Sequence, residues 1–208
     1  MKTRGILNIS AVVFMSALMA YAAPIGDPAI GQTAPDFTVK GSDGKNYRLA
    51  DYRGKFVVLE WYNPGCPFVR KHYDTGNMQS LQDRYTKKGV VWLSIDSSAT
   101  GMEGNLSAQE GQADRAQNKA HSTALLLDPN GTVGRLYGAK TTPHMFVIDP
   151  KGVLDYKGAI DNRRSTDPED IAGATNYVAL ALDEAMAGKP VTTVSTRSYG
   201  CSVKYNHD

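Results

Sequence analysis

The chain has 208 residues, of which 41% are hydrophobic and 21% charged, so it can bury a substantial core, and one domain with tails is expected. Its 23 basic and 21 acidic residues give a formal net charge of +2 at pH 7. This balance lacks the basic excess of nucleic-acid-binding domains, so we expect no nucleic-acid partner.

The first 22 residues have the pattern of a secretory signal peptide. Lys2 and Arg4 precede a largely apolar stretch over residues 6–20, and an A-x-A site ends at Ala22. Cleavage there or one residue later removes two bases, and 23 minus 2 leaves 21 bases against 21 acids. The sequence therefore predicts an exported, near-neutral protein, periplasmic or secreted, with no membrane contact after cleavage.

Strands alternate with helices along the rest of the chain. Residues 37–40 and 46–49 predict a hairpin, and residues 56–61 predict a buried strand because the run is short and nearly all apolar. The further predicted strands lie at residues 90–96, 124–128, 144–149 and 152–158. The predicted helices begin at Pro67, span 78–87, run from the Ser107–Glu110 capping box to about Lys119, span 133–137, and run from Pro168 to about Met186. This order predicts an α/β sandwich with a mixed sheet.

Cys66 follows the first buried strand and an Asn-Pro-Gly turn, and Pro67 begins the next helix. A helix N-terminus carries partial positive charge and free N–H groups, both of which favour a thiolate. Arg70 lies one turn further on the same face and adds a cation. Cys66 is therefore a candidate nucleophile, although a buried, inert cysteine is the alternative.

A Thr-Thr-Pro sequence immediately precedes the strand that begins at residue 144. Proline cannot donate to a strand ladder and is tolerated at the start of a strand. A cis Pro143 would explain the sequence and would leave the backbone of Thr142 open to a bound partner, whereas a trans proline loop is the alternative.

The chain after residue 22 contains two cysteines, Cys66 and Cys201. In an exported protein they allow a permanent disulfide, a reversible redox pair or two unrelated thiols. The histidines lack metal-ligand spacing, so neither a metal nor another cofactor is expected.

Three stretches of the sequence carry a resemblance to a known family. The sequences "NPGCPFV" at residues 63–69 and "TTPHMFVIDPKGVLDYKGAID" at residues 141–161 resemble those of thioredoxin-fold redoxins of the AhpC/TSA, or peroxiredoxin-like, superfamily. The end of the chain, "AGKPVTTVSTRSYGCSVK", resembles a branch with a terminal G-C-S-[IV]-K motif. The resemblance implies a three-layer α/β/α thioredoxin fold with an N-terminal hairpin and an extended C-terminal tail, a cis Pro143 and thiol redox chemistry at Cys66.

The chain also departs from its relatives' motifs. Val69 stands where thioredoxins have the second cysteine of C-x-x-C, and Asn63 stands where peroxiredoxins have Thr or Ser. An amide at Asn63 still offers a hydrogen bond to a peroxide. For the arginine that peroxiredoxins place over the sulfur, Arg70 is the candidate by spacing, with Arg163 and Arg164 as alternatives.

The sequence thus predicts an exported thiol oxidoreductase with a signal peptide at 1–22, a redoxin domain at 23–187 and a tail at 188–208. Cys66 attacks a peroxide or disulfide, Cys201 resolves the product, and a thiol electron-donor protein restores both. Arg70 supports the thiolate, and the predicted substrate face comprises Asn63, Pro67, Thr142 and Pro143. The alternative is a non-catalytic binding module stapled by a Cys66–Cys201 disulfide.

Overall fold

The structure, a computed structural model, describes residues 26–206, so the predicted signal peptide lies outside it. The strands are β1 (Thr38–Lys40), β2 (Asn46–Arg48), β3 (Val57–Trp61), β4 (Val91–Asp96), β5 (Ala124–Leu127), β6 (Thr141–Thr142), β7 (His144–Ile148), β8 (Leu154–Gly158) and β9 (Cys201–Ser202). The helices are α1 (Pro67–Asp74), α2 (Asn77–Thr86), α3 (Ala108–Gln117), α4 (Thr132–Leu136) and α5 (Tyr177–Met186), with 3₁₀ helices at Leu49–Tyr52 and Pro168–Ile171. Within residues 26–206, none of the helices has the length and apolar character needed to span a membrane.

Five strands form the central sheet in the order β5-β4-β3-β7-β8. β3, β4 and β5 are paired in parallel, whereas β7 is antiparallel to both of its neighbours, β3 and β8, so the sheet is mixed. β3 lies at the centre, and all five of its residues are buried. Because side chains alternate along a strand, Leu59 and Trp61 enter one core while Val58 enters the other.

Two hydrophobic cores flank this sheet. The first core packs side chains of α1, α2 and α5 against one face of the sheet. The second core packs α4, the N-terminal hairpin of β1 and β2, and the 3₁₀ helix after the hairpin against the other face. The predicted three-layer α/β/α sandwich with a central mixed sheet is therefore confirmed, and β3 delivers its C-terminal end to the site described below.

The predicted last helix, from Pro168 to about Met186, is wrong as a single element. Asp167 does cap a helical turn, but this is a 3₁₀ helix that ends at Ile171. The chain then returns to pair Asn176 with Asp161, and the Asn176 side chain caps α5 by accepting the N–H of Ala179. A second cap residue and this backbone pairing interrupt the helix, although its end at Met186 is as predicted.

The C-terminal tail lies against the sandwich and ends in a short strand. β9 pairs antiparallel with β6, which sets Cys201 opposite Thr142 and Ser202 opposite Thr141. Upstream, Ser195 forms a parallel bridge with Lys157 of β8. The tail is thus fixed by backbone hydrogen bonds at both places.

Leu59 tests the importance of the central strand for stability. Its side chain is fully buried in the second core, so Leu59→Ala removes apolar contacts and leaves a cavity. We expect the free energy of unfolding to fall by about 2 to 5 kcal/mol, measured by urea denaturation of the reduced protein. Met102→Ala is the control, because Met102 is 39% exposed and its loss should change stability by less than about 0.5 kcal/mol. Equal losses in the two variants would contradict this assignment of the core.

Candidate active site

Cys66 occupies the N-cap position of α1, directly after the loop that leaves β3. Pro67 takes the first helical position, and the carbonyl of Cys66 accepts the N–H of Arg70 at 2.8 Å, which closes the first turn. The Cys66 side chain is buried, with 2% of its surface exposed. Its sulfur therefore lies at the positive end of the helix and away from bulk water.

The Thr142–Pro143 peptide bond is cis and faces this sulfur. The Cys66 thiol donates a hydrogen bond to the Thr142 carbonyl oxygen, with an Sγ–O distance of 3.0 Å. Two segments 76 residues apart thus meet at one atom pair. The cis form predicted for Pro143 is present, and it brings the predicted residues Thr142 and Pro143 to Cys66.

Cys201 joins the same group from the tail. Both cysteines are free thiols, and the register of β9 sets Cys201 against Thr142, the residue that Cys66 contacts. Burial, together with a hydrogen bond to Cys66, raises the pKa of the Cys201 thiol to about 12. Cys201 therefore keeps its proton at neutral pH.

Several contacts hold the tail in this position. The buried Tyr199 hydroxyl bonds to the Asp161 carboxylate. The Thr196 hydroxyl accepts the N–H of Ala159 at 2.9 Å. After β9, the Val203 N–H donates to the Lys140 carbonyl at 3.1 Å, and the Lys204 carbonyl accepts the Ala99 N–H at 2.7 Å. The tail is therefore bound on both sides of Cys201.

Two glycines make this close approach possible. Gly200 has a φ of +134°, and a Cβ there would lie 2.0 Å from the Thr142 carbonyl oxygen. Gly158 has a φ of +146°, and a Cβ there would lie 2.3 Å from the Thr196 hydroxyl. Any larger residue would push the tail away from β6 or β8, so both positions need glycine for steric and conformational reasons.

The candidate arginines do not bond to Cys66. The Arg70 guanidinium donates to the Asn118 side-chain oxygen at 2.9 Å and bonds to Asp74. Arg163 donates to the Gly173 carbonyl, 3.4 Å away. Burial raises the pKa of Tyr199, and the positive charge of Arg164 opposes that rise. Arg70 is thus on the helix predicted for it, but its charge is directed to a neighbouring carboxylate.

Asn63 has a structural role in the loop before Cys66. Its amide donates to the Glu103 carbonyl at 2.9 Å and to the Ser98 hydroxyl at 3.3 Å, and its side-chain oxygen accepts the Gly65 N–H at 2.8 Å. The side chain is 2% exposed. Its donors are already used, so in this arrangement Asn63 shapes the cysteine loop.

Glu60 is a buried acid that the sequence reasoning did not single out. It lies in β3, fully buried, and accepts hydrogen bonds from the side chains of Tyr73, Gln82, Trp92 and Ser94. Burial raises its pKa, and these donors oppose that rise. The signal was present in the sequence, because Glu60 is the one charged residue inside the apolar run 56–61.

Gly200→Ala tests the docking of the tail. The added methyl group collides with the Thr142 carbonyl, so the tail detaches and Cys201 enters water, where its thiol pKa falls toward the usual value of about 8.5. We expect iodoacetamide to label Cys201 at pH 8 at least about tenfold faster in the reduced variant. Gly173→Ala is the control, since its Cβ would meet only an ordinary contact of 3.5 Å. Unchanged labelling in Gly200→Ala would contradict the tail docking.

Two curated relatives are similar to this chain in sequence. Thiol-disulfide oxidoreductase ResA of Geobacillus thermodenitrificans is 30% identical over 124 residues, which are 60% of this chain and 66% of that protein. The match therefore spans just under two thirds of that relative. Peroxiredoxin-2 of Mus musculus is 33% identical over 141 residues, which are 62% of this chain and 68% of that protein.

One solved structure extends the agreement to the fold. An uncharacterized conserved protein from Geobacillus kaustophilus superposes with a TM-score of 0.75 at 24% identity, covering 90% of this chain and 95% of that one. Together with the topology described above, this confirms the thioredoxin fold. Residues 30–157 match the AhpC/TSA family, and this match and the two named relatives support the predicted class of thiol-dependent oxidoreductase. The chain belongs to the AhpC/TSA family.

Proposed function

We propose that Cys66 is the attacking thiol of this oxidoreductase and that Cys201 resolves the oxidised Cys66. The observation that carries the proposal is the contact of the two free thiols at the N-terminus of α1, beside the cis Thr142–Pro143 bond. Residues from the helix, the proline loop and the tail meet there, and each supplies a distinct chemical group.

With a peroxide, the Cys66 sulfur attacks one peroxide oxygen. An S–O bond forms as the O–O bond breaks, and the other oxygen leaves and takes a proton as water or an alcohol. The Cys201 sulfur then attacks the Cys66 sulfenic acid and forms the S–S bond. The hydroxyl leaves and takes the Cys201 proton with it as water.

A disulfide substrate follows the same route. Cys66 forms a mixed disulfide with one substrate sulfur, and Cys201 displaces that sulfur to leave a Cys66–Cys201 disulfide. In either case, two electrons leave the cysteine pair, and a thiol electron-donor protein returns them. The resemblance to ResA supports this second substrate class, whereas peroxiredoxin-2 supports the first.

The position of the tail favours a small oxidant. Cys66 is 2% exposed, and the backbone of Thr142, predicted to be open to a bound partner, is paired with Cys201. A polypeptide must displace β9 to reach that edge, whereas a peroxide needs only a small opening. We therefore rank peroxide first as the oxidising substrate, with protein disulfides as the second candidate.

The cellular setting follows from the sequence. The charged and apolar pattern of residues 1–22 supports export to the periplasm or the exterior. We further propose that Pro67 stiffens the cysteine loop, that Arg70 contributes positive potential near the thiolate, and that Asn63 contacts a substrate oxygen only if its loop rearranges. No nucleic-acid partner is proposed.

Intact mass spectrometry tests this proposal. The reduced protein receives one equivalent of hydrogen peroxide, and we expect a mass loss of about 2 Da as the disulfide forms. Cys201→Ser should instead gain about 16 Da as a sulfenic acid that dimedone traps. Cys66→Ser is the control and should not react at this dose.

The same measurement separates the proposal from the binding-module alternative. A module with a permanent Cys66–Cys201 staple would show no sulfenic acid in Cys201→Ser and no exchange with a small disulfide. That pair of results would exclude catalysis at Cys66. Exchange with a small disulfide but no reaction with peroxide would exclude peroxide as the substrate and leave thiol-disulfide exchange as the function.

A further inference from the structure

A cavity lies beside the tail and apart from the two thiols. This basic cleft of about 490 Å³ opens between the segment that precedes β7 and residues 195–198 of the tail. Its wall includes Lys140, Thr141, His144, Lys157 and Arg197, but neither Cys66 nor Cys201. A cleft of this volume is in the range that small-molecule sites occupy.

Positive charge is concentrated in the basic cleft. Three cations line it, whereas Asp27 is the one acid in its wall. Lys157 neutralises Asp27 through a contact of 2.6 Å, and its ammonium group also donates to a backbone carbonyl at 2.9 Å. Lys140 and Arg197 form no ion pair among residues 26–206. Both are exposed, and their charge is therefore available to a ligand.

This concentration is not a general property of the surface. After the predicted signal peptide, bases and acids are equal in number, at 21 each when Lys2 and Arg4 are subtracted. The cleft, which carries two cations without an ion pair among the described residues, is therefore more positive than the molecule as a whole. Arginine and lysine side chains in such a position bind carboxylate or phosphate oxygens through charge-assisted hydrogen bonds.

His144 adds a donor without adding charge. The ring is 7% exposed, and its Nδ1 accepts the backbone N–H of Lys140 at 3.4 Å. Burial lowers the pKa of the ring to about 4, so it is neutral at pH 7 and carries its proton on Nε2. The Ser198 hydroxyl also lines the cleft, whereas the Thr141 hydroxyl donates to the Pro143 carbonyl at 3.2 Å.

We propose that the basic cleft binds a small ligand with two negative charges, a dicarboxylate or a phosphate compound, held by Arg197 and Lys140. The guanidinium of Arg197 can engage two oxygens of one anionic group, and the ammonium of Lys140 binds the same or the second group. This site is separate from the thiol chemistry and does not depend on the proposed function of Cys66.

The ligand also stabilises the docked tail. Arg197 and Ser198 belong to the tail, whereas Lys140 and Thr141 belong to the segment that holds it, so the complete cleft exists only when the tail is docked. A ligand that binds one of two conformations shifts the equilibrium toward that conformation. Occupation of the basic cleft therefore keeps Cys201 against Cys66.

Nitrogen-15 NMR titration of the reduced protein with inorganic phosphate, and separately with succinate, tests the proposal. Sodium chloride holds the ionic strength constant. We expect saturable shifts of the Gly138, Thr141 and Ser198 amides with at least one of the two probes. Arg197→Gln should weaken binding at least about tenfold, because charge-assisted hydrogen bonds are lost. Lys189→Gln removes an exposed cation that does not line the cleft, and it should leave the affinity unchanged.

Saturation by phosphate alone assigns a phosphate compound, and saturation by succinate alone assigns a dicarboxylate. Shifts that fail to saturate with both probes would overturn the proposal, as would equal weakening by Lys189→Gln and Arg197→Gln. Saturating probe should also slow the labelling of Cys201 by iodoacetamide. Labelling that is unchanged or faster with bound probe would refute the coupling to the tail, whatever the outcome of the peroxide reaction at Cys66.

Discussion

The carbonyl group of Thr142 joins the parts of the candidate active site. It accepts the thiol hydrogen of Cys66, and its residue pairs with Cys201 in the β6–β9 ladder. The absence of a side chain at Gly200 lets the tail pass over the same oxygen. One peptide unit thus fixes the distance between two thiols that lie 135 residues apart (201 minus 66). Every role proposed for Cys201 requires this contact.

The central strand beneath the Cys66 loop contains a buried acid. Glu60 is fully buried in the central strand and binds side chains from α1, α2 and β4. A buried carboxylate is costly unless donors surround it, and here four donors do so. These hydrogen bonds join both helices to the strand that positions the Cys66 loop. The position of Cys66 is therefore fixed from below by directional contacts as well as by apolar packing.

Much of the fold follows from local pattern. The strand at 57–61, the proline at the start of α1 and the capping box before α3 all have short-range causes, and each lies within about two residues of its prediction. Val69, which replaces the second cysteine of C-x-x-C, is fully buried in the first core. The position is thus occupied by a packing residue, in agreement with a single thiol in this loop.

The parts that sequence reasoning missed have long-range causes. A two-residue strand such as β9 has no periodicity, and its partner β6 is far away in the chain, so neither was predictable from local pattern. The break between Ile171 and α5 depends on the pairing of Asn176 with Asp161. Arg70 lies in α1, and its guanidinium bonds to Asp74, one turn further along the helix, a pairing that the prediction for Arg70 did not consider.

The separation of the two cysteines along the chain also links redox state to folding. A disulfide between residues 66 and 201 would close a loop of roughly 135 residues and, by loop-closure entropy, would add about 5 kcal/mol to the free energy of unfolding. This is comparable to the whole stability of many small domains. The protein would therefore alternate between a more and a less stable form in each catalytic cycle. A reducing environment would lower its free energy of unfolding.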